Sequence, residues 1–194
     1  MATWALDAVR FFRPRGFFAS AAEADTELAE RIHVETIQEW GELPEMPNAV
    51  SRDMHALWRD PERIWCQDLE VAGPEERAYE CILREWERIS RGVLRIGRVA
   101  EYWSPSYTAR IELEISWGTS LRVSDPSAAA SLTFDHGSGD YVDTAITRLL
   151  NQAIAASGFR IEVAACGGFD ANYVLVLRPD ERREIERRGW RFLW

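Results

Sequence analysis

The chain contains no lysine: every one of its 23 basic residues is arginine. All positive charge is therefore carried by permanently charged, planar forks suited to carboxylates. Cysteine is scarce as well. Cys66, Cys81 and Cys166 form an odd set with no CxxC spacing, which excludes a disulfide framework or zinc knuckle and predicts reduced, buried thiols. The three histidines are His33, His55 and His136, and none is followed by a second His or Cys three or four residues on, so no metal site of the HExxH or Cys/His type is signalled. No stretch approaches the roughly 18 apolar residues of a membrane span. Asp7, Arg10, Arg13 and Arg15 interrupt the apolar run a secretory leader needs. These absences predict a soluble, cytoplasmic protein without cofactor or metal.

What is present is globular. Hydrophobic residues make up 46 % and charged residues 28 %, far from the low-hydrophobicity composition that keeps chains disordered. A chain of 194 residues is long enough to form one domain with a sizeable core. We read residues 1–194 as that single domain, with the only candidate seam near Gly92 and no Pro/Gly/Ser linker there. The net charge of −9 is unevenly placed. Residues 1–22 hold three Arg against one acid, residues 23–90 hold seven Arg against 18 acids, and residues 91–194 balance at 13 each. The middle segment thus carries −11, which repels nucleic-acid phosphate and anionic lipid and favours a basic partner.

Periodicity divides the chain. Ser20 and Glu23 have capping-box spacing, after which Ala24, Leu28 and Ile32 recur every four residues to Trp40 and stop at Gly41. A second helix is predicted from Ala49 to Arg59, ended by Asp60-Pro61. A third follows Pro74 with Ala78, Ile82, Trp86 and Ile89 in one stripe beside Tyr79 and Leu83, closed by Gly92. Beyond it the period changes to two. Ile111, Leu113, Ile115 and Trp117 alternate with polar residues in the clearest strand of the chain, flanked by strands at Leu94–Trp103, Leu121–Val123 and Leu132–Phe134. A helix from Asp140 to Ala156, strands at Phe159–Ala164 and Tyr173–Leu177, a short charged helix after Pro179 and a last strand over Trp190, Phe192 and Trp194 complete the reading. The expected fold is α+β: a helical N-terminal half packed on a largely antiparallel sheet in the C-terminal half, with one or two inserted helices.

Two surfaces are candidate sites. The acidic helix and its exit loop carry Glu27, Glu30, Glu35 and Glu39 in a strip able to steer a basic protein, and Trp40, Trp58 and Trp65 lie in the same region without a clear place in any apolar stripe. Such a strip is most often simply a solvated helix face. The second candidate is the polar stretch Asp135-His136-Gly137-Ser138-Gly139-Asp140, where His136 could act as acid or base, joined by Cys166 ahead of Gly167-Gly168-Phe169-Asp170. It matches no phosphate loop, dinucleotide fingerprint or nucleophile elbow, and Asp140 at a helix N-cap explains itself.

In size, charge and layering the chain resembles the small acidic immunity proteins that bacteria make against their own toxins. That resemblance implies a non-enzymatic inhibitor occluding a basic protein partner such as a toxin, with Glu27, Glu30, Glu35, Glu39, Trp40, Trp58 and Trp65 as contact residues. The alternative expectation is a small hydrolase or ligand-binding protein with a site at residues 135–140 and 166–170, using Asp135, His136, Asp140 and Cys166.

Overall fold

A computed structural model describes residues 3–41, 46, 48–68, 77–106, 108–117, 129–137, 145–165 and 171–193. The elements in chain order are α1 (Thr3–Phe12), α2 (Asp25–Trp40), α3 (Ala49–Leu57), β1 (Ile64–Asp68), α4 (Ala78–Ile89), β2 (Leu94–Trp103), β3 (Ala109–Trp117), β4 (Ala129–His136), α5 (Ala145–Ala153), β5 (Arg160–Ala165), β6 (Ala171–Leu177) and α6 (Pro179–Arg187). The α+β reading holds. The strands, however, form two separate antiparallel sheets, ordered β1-β6-β5 and β2-β3-β4.

The division follows from burial. β6 reads Tyr-Val-Leu-Val-Leu from Tyr173 to Leu177, with every side chain buried, as a strand covered on both faces must be. Val174 and Val176 point to one core with Ile161 and Val163, while Tyr173, Leu175 and Leu177 point to another with Ile64. On that second side lie α1, α2 and α3, through Phe12, Ile32 and Leu57. On the first lie α4 and α5, through Tyr79, Trp86 and Leu150, and beyond them the inner face of β2-β3-β4. The layers therefore run helices, sheet, helices, sheet. Both cores draw on residues from before and after Gly92. Each fully buried large apolar side chain contributes roughly 1.5–3 kcal/mol, so the six buried residues of α4 anchor the middle layer.

Local chemistry sets the element ends. α2 begins at Asp25, later than Ser20 and Glu23 suggest, because the backbone N–H of Ala24 donates to Glu27 Oε2 at 3.3 Å and Glu23 instead pairs with Arg31. Gly41 ends the helix at φ 76, and its N–H donates to the Ile37 carbonyl. Asn48 caps α3 by accepting the Ser51 N–H at 2.9 Å. β2 carries a bulge between Ile96 and Val99, where a Cβ on Gly97 would lie 3.1 Å from Glu114 Cβ, and Arg84 donates to the carbonyls of Ile96 and Gly97. The free edge of β5 is closed by side chain and tail: Asn151 both accepts from the Ile161 N–H at 2.7 Å and donates to its carbonyl at 2.8 Å, and the Leu193 N–H donates to Val163.

Several expectations need correction. α1 and β1 are additions to the expected elements: Ala5, Ala8, Val9 and Phe12 of α1 follow a helical period over only ten residues, and Ile64–Asp68 has no apolar/polar alternation to mark a strand. The C-terminal tail makes a single bridge, Ala164 to Phe192, in place of a strand, while Trp190 is buried beneath it and Trp194 lies outside the described residues. Cys81 is exposed and Cys66 half-buried, so neither is the buried thiol expected. The strand at 121–123, the start of the helix at Asp140 and the turn at 166–170 also lie outside the described residues.

Candidate functional site

The acidic surface is less acidic than its sequence. Arg31 lies between Glu23 and Glu35 at 2.8 and 3.2 Å, Arg59 from the end of α3 reaches Glu35 and Glu39, and Arg13 holds Asp25 at 2.8 Å. Further along, Arg188 holds Asp53, Arg77 and Arg84 hold Glu80, Arg88 holds Glu85, and Arg84 with Arg95 holds Glu87. Among the 12 acids of residues 23–90 whose side chains are described, eight are thus paired with the protein's own arginines. Glu35 and Glu39 are therefore not free steering charges. Glu27 and Glu30, on the exposed face of α2, have no arginine within ion-pair distance among the described residues.

The three tryptophans separate. Trp65, on β1, packs against the core between the sheets and is only half-exposed at most. Trp40 at the end of α2 remains 50 % exposed and Trp58 after α3 remains 44 % exposed, although both are large apolar rings. They are linked through α3. The His55 ring lies edge-on to Trp40 at 5.7 Å, and Trp58, three residues along from His55, lies edge-on to Tyr173 at 6.3 Å. Burial, reinforced by Arg59, lowers the His55 pKa, so its ring is the more apolar at neutral pH. Trp40 thus packs on His55 and Trp58 on Tyr173, while the unpaired Glu27 and Glu30 lie about 15–20 Å back along α2 from Trp40.

The alternative site does not assemble among the described residues. Strand alternation turns Asp135 outward and His136 inward, so the two residues do not converge. His136 is buried, its Nδ1 lies 2.7 Å from the Tyr79 hydroxyl, and Trp103 packs edge-on at 5.4 Å. Asp140, Cys166 and Asp170 lie outside the described residues. No group of three or more His, Cys, Asp or Glu residues able to hold a metal ion occurs among the described residues.

A third feature escaped sequence reasoning. At the end of the β1-β6-β5 sheet where β1 begins and β6 ends, a cleft of about 890 Å³ opens between the turn after α1, the turn before β1, the end of α4 and the start of α6. Arg15, Arg63, Arg91 and Arg178 line it with Glu181 and Glu184. Arg63 is only 4 % exposed, with its guanidinium over the Phe17 ring at 4.0 Å. Its Nη1 donates to the Arg15 carbonyl at 3.1 Å, but Nε and Nη2 have no hydrogen-bond partner among the described residues. Burial, aided by neighbouring Arg91, brings its pKa down to about 10. No spacing rule marks an arginine for burial, and Arg63 was legible only as one more positive charge.

No family model, curated protein or solved structure matches the chain. Among the described residues no helix is long and apolar enough to cross a membrane.

Proposed function

We propose that this protein is a non-enzymatic binding protein that engages a basic protein partner and occludes it, using the face built by α2 and α3. The observation that carries the reading is the pair of half-exposed tryptophans, Trp40 and Trp58, on adjoining helices. Large rings left half in water on a rigid helical layer are the groups that anchor interfaces, because they bury much area at low rotamer cost. Glu27 and Glu30, on the exposed surface near the start of α2, are carboxylates without internal arginine partners, and such charges act at a distance, chiefly on the rate of encounter. Glu35 and Glu39 contribute a weaker field, since Arg31 and Arg59 already hold them.

The test begins with the protein recovered from its native cell together with what co-purifies, followed by stopped-flow association of the purified pair. Replacing Glu27 and Glu30 by arginine is expected to slow association severalfold at low salt and to flatten its salt dependence. Trp40→Ala and Trp58→Ala should each speed dissociation by a factor corresponding to about 2 kcal/mol or more for an anchor residue. Association that ignores ionic strength, together with dissociation unchanged in both tryptophan variants, would overturn the reading.

A further inference from the structure

The cleft beside α6 is lined by five arginines, Arg15, Arg63, Arg88, Arg91 and Arg178, against four carboxylates, and Arg63, Arg91 and Arg178 stand closest together. Arg91 and Arg178 both lie over the Phe159 ring, at 5.2 and 4.9 Å, and each repels Arg63. Three of the nearby acids are occupied, whereas Glu62 and Asp180 at the rim have no ion pair among the described residues. Asp60 accepts the Phe18 N–H at 2.6 Å; Glu181 holds Arg91 at 3.0 Å and accepts the Arg178 N–H at 2.7 Å; and Glu184 holds Arg15. Neither Arg63 nor Arg178 has a carboxylate within ion-pair distance among the described residues. Buried charge is expensive unless paired, and here a guanidinium more than nine-tenths buried forms part of the cleft lining with two nitrogens unpartnered.

Backbone shape supports the same reading. Gly16, at φ 77, forms the wall beside Arg63, and a Cβ there would lie 3.1 Å from Arg63 Nη1 and 3.9 Å from Arg91 Nη1. Arg91 is held in the left-handed region at φ 59, a conformation that costs a non-glycine residue about 1 kcal/mol or more. The N-terminal turn of α6 faces the cleft through Asp180 and Glu181, whose carboxylates offset the positive end of its dipole. Guanidinium forks match the oxygens of a phosphate group, and the volume lies in the range of small-metabolite sites. The exposed Glu62 and Asp180 complete the lining, which disfavours a ligand of high negative charge.

We infer that the cleft bounded by Arg63, Arg91 and Arg178 binds a small molecule through a single phosphate group. The cleft shares no residue with the exposed tryptophans, and the inference stands or falls independently.

Calorimetric titration of the full chain with inorganic phosphate, with phenyl phosphate as a monoester and with succinate as a dicarboxylate, each at matched ionic strength, tests the inference. Saturable one-to-one binding of phosphate or the monoester is expected, with succinate weaker. Tighter binding of the monoester identifies a phosphorylated metabolite as the ligand class, whereas equal binding identifies free phosphate. Arg178→Gln, at an exposed residue, should weaken binding about tenfold, the value of one charge-assisted contact. Arg63→Met should weaken it at least as much. If that variant does not fold, Arg91→Gln serves as the second probe. Absence of saturable binding, or binding unchanged in Arg178→Gln and in the second variant, overturns the inference.

Discussion

Replacing Asp53 by alanine would remove the acceptor on which the C-terminal end of the chain is fastened. Asp53 lies on α3, fully buried, and accepts from Arg188 Nε and Nη2 at 2.6 Å each and from the indole N–H of buried Trp190 at 3.1 Å. The same arginine reaches Asp7 on α1 at 2.7 Å, so a single guanidinium joins α1, α3 and the residue after α6. Alanine leaves that guanidinium and a buried indole N–H without their main partner, which costs about 3–5 kcal/mol. For a chain of this length the loss corresponds to a melting temperature lower by roughly 10 °C. Urea unfolding followed by circular dichroism measures it. Arg188→Met in the Asp53→Ala background should recover part of the loss, with a coupling of about 1–3 kcal/mol. A loss below about 1 kcal/mol for Asp53→Ala, or strict additivity of the two changes, would refute the reasoning.

The same residue makes a prediction about pH. Burial pushes the Asp53 carboxyl above its usual range despite the opposing pull of Arg188 and Trp190. The folded state therefore takes up a proton at higher pH than the unfolded chain does. Between the raised folded value and the ordinary unfolded one, acidification adds to folding stability, and the cost of the buried charge is present in full only above that window. Asp53→Asn, which cannot titrate, isolates this contribution. The stability of the wild-type protein relative to Asp53→Asn is expected to rise as pH falls from neutral towards the ordinary aspartate range. A relative stability that falls over that interval would show that the ion pair outweighs burial.

Asn151→Ala should cost about 2–3 kcal/mol in the same urea assay, because it leaves the Ile161 N–H and carbonyl unpaired at the edge of β5. Asn151→Leu, which restores apolar volume, should recover little. Gly97→Ala should cost about 1–2 kcal/mol, since the new methyl would press on the backbone and Cβ of Glu114 across the bulge. An unchanged unfolding midpoint for Gly97→Ala would mean that the bulge relaxes freely.

Local patterns carried the secondary structure where they were long and regular. The stripe Ala78, Tyr79, Ile82, Leu83, Trp86 and Ile89 is buried throughout, and the alternation from Ile111 to Ile115 marks the inner face of β3. They failed where the signal was short or arose from distant contact. β1 is called into a sheet by β6, more than a hundred residues away, and the last strand dissolves into one bridge because Asn151 already occupies part of the β5 edge. Of the candidate surface residues, Trp40 and Trp58 are exposed, whereas Trp65 is half-buried against the core.

The residues alone determined how much charge the chain carries, the helical and strand periods and the α+β class, because each depends on composition or on neighbours within a few positions. Which charges remain available was decided only by the tertiary structure. Arg13 and Arg59 neutralise acids of α2 from outside that helix, and Arg63 is buried against Phe17 at a cleft whose walls come from four separate elements. Electrostatic pairing and desolvation depend on distance through space, and the order of residues along the chain does not encode that distance.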